Sequence, residues 1–168
     1  MKIFAIYVGG KTENSNIEVH DMRFVVGQKI EDCYEQLRKQ WWGTPQSLHI
    51  DCWGALEYVD GYKVSLKPEA YEGAEKLYFV NLGGYDLTLF TELHSNVFVV
   101  GETESKAKVR ALKTILDWNA HHKDNQFEIE MAICLNQVVY EKGLHVHLEK
   151  SDISKPFEFT CRYLPIAV

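Results

Sequence analysis

Two short motifs, each a carboxylate and a histidine two residues apart, have the residue types and spacing that could do chemistry. Glu18 precedes His20, and Glu92 precedes His94. On an extended segment, residues two apart point to the same face, so each carboxylate would lie beside its imidazole. A carboxylate so placed can orient the histidine and raise its pKa, as general-base and metal sites require. Glu18, His20, Glu92 and His94 are therefore candidate catalytic residues.

The same spacing also suits a structural role. A buried Glu–His hydrogen bond could hold the long loop of a hairpin in place. Catalytic residues often decay in one half of a duplicated chain, whereas this motif is present in both halves. Its presence in both favours either the structural role or a symmetric pair of binding sites.

Both motifs belong to a longer repeat with an offset of 74 residues. Residues 2–10 and 76–84 share an apolar, strand-like pattern that ends in two glycines. Nine of the 26 positions from residue 2 to residue 27 are identical in the second half, whereas about one or two would match by chance. The pattern predicts a tandem duplication. The paired glycines are candidate ligand-binding positions: Gly9, Gly10, Gly83 and Gly84.

The elements predicted for each half are strand, strand, helix, strand, short helix and strand. A 3.6-residue apolar stripe predicts the first helix over about 29–41, and the second is predicted over about 104–117 behind an N-cap at Thr103. This order resembles the ubiquitin-type β-grasp roll, so we expect an α+β fold in which one helix covers a mixed sheet. The predicted repeats are residues 1–70 and 75–168.

Two details of the second half are specific enough to test. Its helix is expected to bury Val109, Leu112 and Leu116. Residues 157–163 alternate between apolar and polar side chains, which predicts an extra C-terminal strand with one apolar face and no counterpart in the first half. Such a strand must pair with a sheet edge, either joining the two halves or reaching a second chain.

Several segments also resemble a known family. They are the opening Tyr-Val-Gly-Gly, Glu-Val-His followed by Phe-Val-Val-Gly, Trp-Trp-Gly-Thr-Pro, and the second Leu-Gly-Gly-Tyr. Together they look like the bacterial domain of unknown function 1543 family, whose members carry one or two copies of such a unit. The resemblance covers the chain up to about Ser151. It implies two tandem copies and a bacterial source, and it implies no activity.

Other residue groups offer weaker signals. His145 and His147 would share one strand face, with His121 and His122 nearby, and such a group could bind zinc or copper. The first half has no histidines at the corresponding strand positions, so an exposed polar strand face is the favoured interpretation. No metal and no other cofactor is therefore predicted.

Aromatic and basic residues form two further groups. Trp41 and Trp53 suit either core packing or a ligand pocket between the halves. Lys106, Arg110 and Lys113 share a helix face that could receive an anion, although a solvated face is the simpler interpretation.

Composition limits the classes of function. The net charge of −6 and the lack of a basic excess in either half argue against nucleic-acid binding. A signal peptide and an apolar run of about 18 residues are both missing, so we expect no membrane partner. The four scattered cysteines predict reduced thiols and a cytoplasmic location.

These observations predict a non-catalytic binding or assembly module of the bacterial cytoplasm, as a homodimer or with a protein partner. The common phosphate-binding, dinucleotide-binding, serine-hydrolase and zinc-protease motifs do not occur in the sequence. The alternative is a hydrolase-like small-molecule enzyme with a Glu/His acid–base pair in a groove between the repeats.

Overall fold

The computed structural model describes residues 1–86, 88–115, 128–153 and 155–167. These residues form an α+β fold with the following strands: β1 (Lys2–Gly10), β2 (Val19–Gly27), β3 (His49–Ala55), β4 (Tyr58–Val59), β5 (Tyr62–Lys67), β6 (Lys76–Tyr85), β7 (Glu92–Gly101), β8 (Glu128–Cys134), β9 (His145–Lys150) and β10 (Thr160–Pro165). The α-helices are α1 (Tyr34–Gln40), α2 (Glu104–Leu112) and α3 (Leu135–Tyr140). In the described ranges, each helix is too short or too polar to cross a membrane.

The strands form three sheets. The first sheet has the order β10-β3-β1-β2, the second β7-β6-β8, and the third β4-β5-β9. In the first sheet, α1 returns the chain to the Gly9 end of β1, so β3 starts there and runs antiparallel to β1. The pairings among the described residues are all antiparallel. The β-grasp prediction required a mixed sheet, and it is not confirmed.

The first and second sheets pack face to face, and a helix covers the outer face of each. Ile3 of β1 and Phe79 of β6 share the buried cluster between the sheets. Ile6, on the opposite face of β1, packs in a separate cluster with Leu37 of α1. Ala107 of α2 packs similarly against the second sheet. The alternation of side chains along each central strand thus produces four layers: helix, sheet, sheet and helix.

The helix α2 differs in its buried face from the prediction. Thr103 is its N-cap, as expected, and its side chain accepts a hydrogen bond from the backbone N–H three residues later. The buried residues are Ala107 and Ala111, whereas Val109 is 58% exposed. Val109 is two positions from each alanine and therefore lies on the opposite, solvent-facing side of the helix. Leu116 lies outside the described residues.

The third sheet and β10 connect the halves of the chain. In the third sheet, β5 of the first half pairs with β9 of the second half, with Ser65 opposite His147. β10 pairs with β3 at the edge of the first sheet. The C-terminal strand therefore joins the halves within one chain. The division at residues 1–70 and 75–168 stays a prediction.

The apolar residues of the C-terminal strand are more exposed than predicted. The strand begins at Thr160, and Phe159 and Tyr163 are 61% and 64% exposed. The buried anchor is instead Ile166, which lies after the strand and packs in the cluster beneath α1. Its carbonyl accepts a hydrogen bond of 2.6 Å from Arg38 Nε. Within the strand, Leu164 packs against the same cluster, so one side chain of this edge strand is partly buried.

The prediction of four reduced cysteines is wrong for two of them. Cys52 and Cys161 face each other in the β3–β10 ladder, with Cα atoms 4.2 Å apart, and form a disulfide. They are 109 residues apart in sequence, a distance that shows no pairing pattern. Cys33 and Cys134 are free thiols. Burial, followed by the negative charge of Asp32, raises the pKa of Cys33 to about 12.

Candidate functional site

Gly9, in the central strand of the first sheet, lies between two histidines. It pairs with His20 of β2 on one side and with His49 of β3 on the other. Residues paired across antiparallel strands point to the same face. A Cβ atom on Gly9 would lie 2.6 Å from His49 Nε2 and 2.9 Å from His20 Cδ2. Because glycine has no Cβ, the two imidazoles can converge over the backbone of β1.

A β-bulge in β3 adds a carboxylate to these histidines. The register between β1 and β3 slips at Asp51, which has no partner on β1. Bulges occur next to functional sites, where they re-aim a side chain. Asp51 Oδ2 lies 3.4 Å from His20 Nε2, and Asp51 Oδ1 lies 3.5 Å from His49 Nε2.

Glu18, immediately before β2, supplies a second carboxylate. Its Oε1 lies 3.2 Å from His49 Nε2, and its Oε2 lies 3.8 Å from His20 Nε2. One ligand atom from each of these three residues lies within 4.8 Å of the other two. We refer to Glu18, His20, His49 and Asp51 as the first cluster.

The buried member of the first cluster is His49, which is 2% exposed. Its Nδ1–H donates a hydrogen bond of 2.9 Å to the carbonyl oxygen of Ser47. In the neutral ring, this bond leaves a lone pair on Nε2. His49 Nε2 and Asp51 Oδ2 are buried and have no hydrogen-bond partner among the described residues. Since buried polar atoms are nearly always paired, these two atoms require an explanation.

The second sheet has a related arrangement, the second cluster, made of Glu92, His94 and Glu130. His94 of β7 pairs with Gly83 of the central strand β6. Glu130 occupies the bulge of β8, where the register with β6 slips. Its Oε2 lies 3.1 Å from His94 Nδ1, and Glu92 Oε2 lies 3.8 Å from His94 Nε2.

The second cluster is more open than the first. The side chain of His94 is 48% exposed, and those of Glu92 and Glu130 are 38% and 36% exposed. The residue of β8 that pairs with Gly83 is Glu128, whereas the first sheet has a histidine at that position. The second cluster therefore has one imidazole and no counterpart to the buried ring of His49.

Both clusters contribute to one cavity, the cleft, between the first and second sheets. Its volume is about 480 Å³. His20 lines it from the first sheet, and His94 and Glu130 line it from the second. Two of the four sequence-predicted catalytic residues, His20 and His94, therefore face the same space. Glu18 and Glu92 approach these histidines from the strand ends.

Tyr7 lines the cleft beside His20 of the first cluster. Its ring stacks on His20, with centroids 5.2 Å apart and planes within 3°. Burial, followed by the negative charges of Asp51 and Asp21, raises the pKa of Tyr7 above its usual value. The phenol consequently remains neutral at pH 7 and is able to donate a hydrogen bond into the cleft.

A second cavity, the apolar pocket, adjoins the cleft and has a volume of about 250 Å³. The two cavities share the lining residues Tyr7, Met22 and Asn96. The remaining walls are mostly aromatic or aliphatic: Ala5, Cys52, Trp53, Phe98, Phe157 and Phe159.

The chain is similar to a known sequence family and to a solved structure. The family described as Domain of Unknown Function (DUF1543) matches residues 15–66. The crystal structure of a protein Il1583 from Idiomarina loihiensis is 32% identical, covers 98% of this chain and 97% of its own, and has a TM-score of 0.72. The chain belongs to the DUF1543 family. None of the curated proteins compared with it is significantly similar.

The family match in this DUF1543 protein spans the complete first cluster, from Glu18 to Asp51. It covers one unit, within the first half of the chain. Sequence reasoning found Glu18 and His20 in this cluster and missed His49 and Asp51. The sequence does contain a pattern that could have identified them: His49 and Asp51 are a histidine and a carboxylate two residues apart, the same spacing as Glu18 and His20.

The other candidate glycines and tryptophans of the DUF1543 protein take different positions. A Cβ atom on Gly10 would lie 2.6 Å from the ring of Trp41, on the side of the sheet covered by α1. Gly84 occupies the position of β6 that corresponds to Gly10 in β1. Trp41 therefore lies away from the cleft, whereas Trp53 lines the apolar pocket.

The weak metal candidates His145 and His147 make other contacts. His147 Nε2 lies 2.8 Å from the carbonyl oxygen of Glu69, and the ring of His145 packs against a tyrosine. Neither belongs to a group of metal-ligating side chains within the described ranges. His121 and His122 lie outside the described residues.

Proposed function

We propose that this DUF1543 protein is a binding module for a divalent transition-metal ion, held at the first cluster. The observation that carries the proposal is the Nε2 atom of His49, which is buried, has no hydrogen-bond partner among the described residues, and lies 3.2 and 3.5 Å from oxygens of two carboxylates. A lone pair beside negative charges is unfavourable on its own. A cation between these groups would satisfy all of them.

The separations between donor atoms support this assignment. In a tetrahedral zinc site with bonds of about 2.0–2.2 Å, neighbouring donors lie about 3.3–3.6 Å apart. The nitrogen–oxygen separations in the first cluster range from 3.2 to 3.8 Å. Two imidazoles and two carboxylates form a donor set that suits Zn²⁺, and also Fe²⁺ or Mn²⁺. The bond to Ser47 fixes the tautomer of His49, as backbone carbonyls do for metal-binding histidines.

A purely structural Glu–His hydrogen bond accounts less well for the first cluster. Such a bond would satisfy the buried atoms, whereas His49 Nε2 and Asp51 Oδ2 have no hydrogen-bond partner among the described residues. The second cluster fits the structural role better, because Glu130 and His94 are in direct contact at 3.1 Å and are solvent-exposed.

The cleft favours a second candidate function, a metal-assisted hydrolase. An ion at the first cluster would border a cavity of about 480 Å³, and a bound ion can activate water for attack on a carbonyl or phosphoryl group. His94 and Glu130, which line the same cavity, would then serve as acid–base groups. Hydrolysis of an ester or phosphate substrate that requires added Zn²⁺ and is lost in His49→Gln would support this candidate.

We also infer that the two halves arose by duplication. The supporting features are the offset of 74 residues shared by β1 and β6 and by β2 and β7, together with a bulge after equivalent residues, Tyr7 and Asn81. Ser65 and His147 occupy equivalent positions and pair with each other, as a local twofold would require. The family resemblance suggests a bacterial source. The expected cytoplasmic location has less support, since disulfides are rare in reducing compartments.

The metal proposal is tested with the conservative variants His49→Gln and Asp51→Asn. Zn²⁺ is titrated calorimetrically into protein that has first been stripped with a chelator. Each variant should bind Zn²⁺ at least about tenfold more weakly than the wild type, a loss of about 1.4 kcal/mol, because it removes one ligand. Bound Zn²⁺ should also raise the unfolding temperature of the wild type.

His145→Gln is the matched control, because this histidine lies on β9 and outside the cluster. Its Zn²⁺ affinity should equal that of the wild type. Wild-type protein that binds no Zn²⁺, or variants of His49 and Asp51 that bind it unchanged, would refute the proposed site.

A further inference from the structure

We propose that the apolar pocket is the specificity pocket of this metal site, and that its ligand is an aryl-alkanoate: an aromatic ring joined by a short chain to a carboxylate. The ring would occupy the apolar pocket, and the carboxylate would reach the ion at the first cluster. This inference rests on the proposed metal-binding function. It assigns the class of ligand that the site takes.

The size of the apolar pocket fits a single ring with a short chain. An apolar cavity of about 150 Å³ is enough to bind benzene, and the pocket has a volume of about 250 Å³. The polar groups among its lining side chains are the hydroxyl of Tyr7, the amide of Asn96 and the indole N–H of Trp53. A charged group would therefore be poorly solvated deep in the pocket, which places the carboxylate towards the cleft.

The walls of the pocket favour an aromatic occupant. Phe98 and Phe157 have ring centroids 5.0 Å apart, and those of Phe157 and Phe159 are 5.7 Å apart. These rings form a continuous series, with Trp53 also on the wall. Aromatic rings stabilise one another at centroid separations of about 4.5–7 Å. An added ring in the pocket would extend the series.

The apolar pocket lies beside the metal site, because one side chain contacts both regions. Tyr7 lines both cavities and stacks on His20 of the first cluster. Cys52, on the pocket wall, directly follows the bulged ligand Asp51. A group attached to a ring in the pocket by two or three carbon atoms would thus be directed towards the ion. Zn²⁺ can expand from four donors to five, so the protein ligands could remain in place.

The cleft also contains a basic side chain that could bind an anion. Arg23 lines the cleft, and one of its terminal nitrogens pairs with Asp21 at 2.6 Å. Its Nε–H is buried and has no hydrogen-bond partner among the described residues. Guanidinium groups bind carboxylates with well-defined geometry. An anionic head group is therefore favoured over a neutral one.

The probe for this inference is 3-phenylpropionate, titrated into the Zn²⁺-loaded and the metal-free protein. Two reference compounds isolate its parts: 3-phenylpropanol has the ring without the carboxylate, and propionate has the carboxylate without the ring. We expect 3-phenylpropionate to bind the Zn²⁺-loaded protein more tightly than either reference compound, and at least about tenfold more tightly than it binds the metal-free protein.

Phe159→Ala and Phe157→Ala remove walls of the pocket. Each should weaken binding of 3-phenylpropionate by about three- to tenfold, the range typical of one aromatic pair, and leave Zn²⁺ affinity unchanged. Phe159 is 61% exposed, so its replacement should not impair folding. Phe90→Ala is the matched control, since this ring is fully exposed in the loop between β6 and β7.

The outcomes separate the two proposals. If Zn²⁺ binds at the first cluster but 3-phenylpropionate does not bind, the aryl-alkanoate assignment is overturned and the metal site stands. The same conclusion follows if 3-phenylpropionate binds with unchanged affinity to the Phe157 and Phe159 variants. If 3-phenylpropionate and 3-phenylpropanol bind equally with and without Zn²⁺, the pocket is independent of the ion, and the assignment is again overturned. If Zn²⁺ itself does not bind, the proposed function is refuted, and the aryl-alkanoate assignment, which requires the ion, is refuted with it.

Discussion

Gly9 makes the convergence of the first cluster possible at the residue scale. In an ordinary antiparallel sheet, the side chain of the central strand separates the residues that pair with it on either side. At Gly9 the space above the backbone is instead filled by His49, Asp51 and His20, all within 2.9 Å of where a Cβ would be. The usual reason for a strand glycine, a close approach by another group, applies here.

Gly9→Ala should therefore impair the site more than the fold. The backbone conformation of Gly9 is open to alanine, because its φ angle is not in the left-handed region. The added methyl group would push His49 and Asp51 apart. We expect Zn²⁺ affinity, measured by calorimetric titration, to fall at least about tenfold while the far-ultraviolet circular dichroism spectrum is unchanged.

Gly83→Ala is the matched control for this variant. Its Cβ would meet the far end of the flexible Glu130 side chain, at 2.7 Å from Oε1, which can move away. The Zn²⁺ affinity of the first cluster should be unchanged. Equal affinities of the Gly9→Ala protein and the wild type would mean that the histidines do not converge on a common ion.

The disulfide is the main covalent constraint on β10 at the element scale. β10 is an edge strand with mostly exposed side chains, and among the described strands it pairs with β3 alone. The segment just before it supplies Phe157 and Phe159 to the apolar pocket. Loss of the link between Cys52 and Cys161 would therefore loosen both the sheet edge and one wall of the pocket.

Replacing both bonded cysteines by serine should lower the free energy of unfolding by about 2–5 kcal/mol, because the cross-link closes a loop of more than 100 residues and restricts the unfolded chain. Urea denaturation monitored by tryptophan fluorescence measures this difference. The reduced wild type should behave like the double variant.

Cys134→Ser is the control, since Cys134 is a free thiol. Its unfolding free energy should remain within about 1 kcal/mol of the wild type. If the oxidised and the reduced wild-type proteins unfold at the same urea concentration, the disulfide does not restrain the chain as described.

The halves of the whole molecule are joined by a polar contact as well as by the third sheet. Asp60 lies in the turn between β4 and β5 and has a positive φ of 55°. Its Oδ2 accepts a hydrogen bond of 2.9 Å from the backbone N–H of Val100 and pairs with Arg110 Nε at 2.5 Å. One side chain of the first half thus binds both β7 and α2 of the second half.

Two substitutions at Asp60 should distinguish its hydrogen bond with Val100 from its ion pair with Arg110. Asp60→Ala removes both interactions and places alanine in a left-handed conformation, so unfolding free energy should fall by about 2–4 kcal/mol. In Asp60→Asn, the new residue tolerates that conformation, and its side-chain carbonyl can still accept the hydrogen bond from Val100. The variant loses only the pair with half-exposed Arg110, which should cost less than about 1 kcal/mol.

The measurement is again urea denaturation, with two-state behaviour checked by comparing two spectroscopic probes. A single cooperative transition in the wild type is expected if the halves unfold together. Equal effects of alanine and asparagine at Asp60 would show that neither the turn conformation nor the Val100 bond contributes to the coupling of the halves.

The sequence by itself determined the features that depend on local pattern. Alternation and apolar periodicity predicted the central strands β1 and β6, the helix after each opening hairpin, the N-cap at Thr103 and an added C-terminal strand. The spacing of Glu18 and His20 predicted a carboxylate–imidazole pair, and Glu92 and His94 repeat it. These signals can be read because each involves residues a few positions apart.

The tertiary structure decided what depends on register and topology. Only the pairing of β3 beside β1 brings His49 to Gly9, and only the bulge turns Asp51 towards both imidazoles. The disulfide likewise exists because β10 crosses to β3, which places Cys161 opposite Cys52. A one-residue change of register would reverse the faces of these side chains. Such contacts are set by global packing, and local sequence pattern does not encode which distant strands will meet.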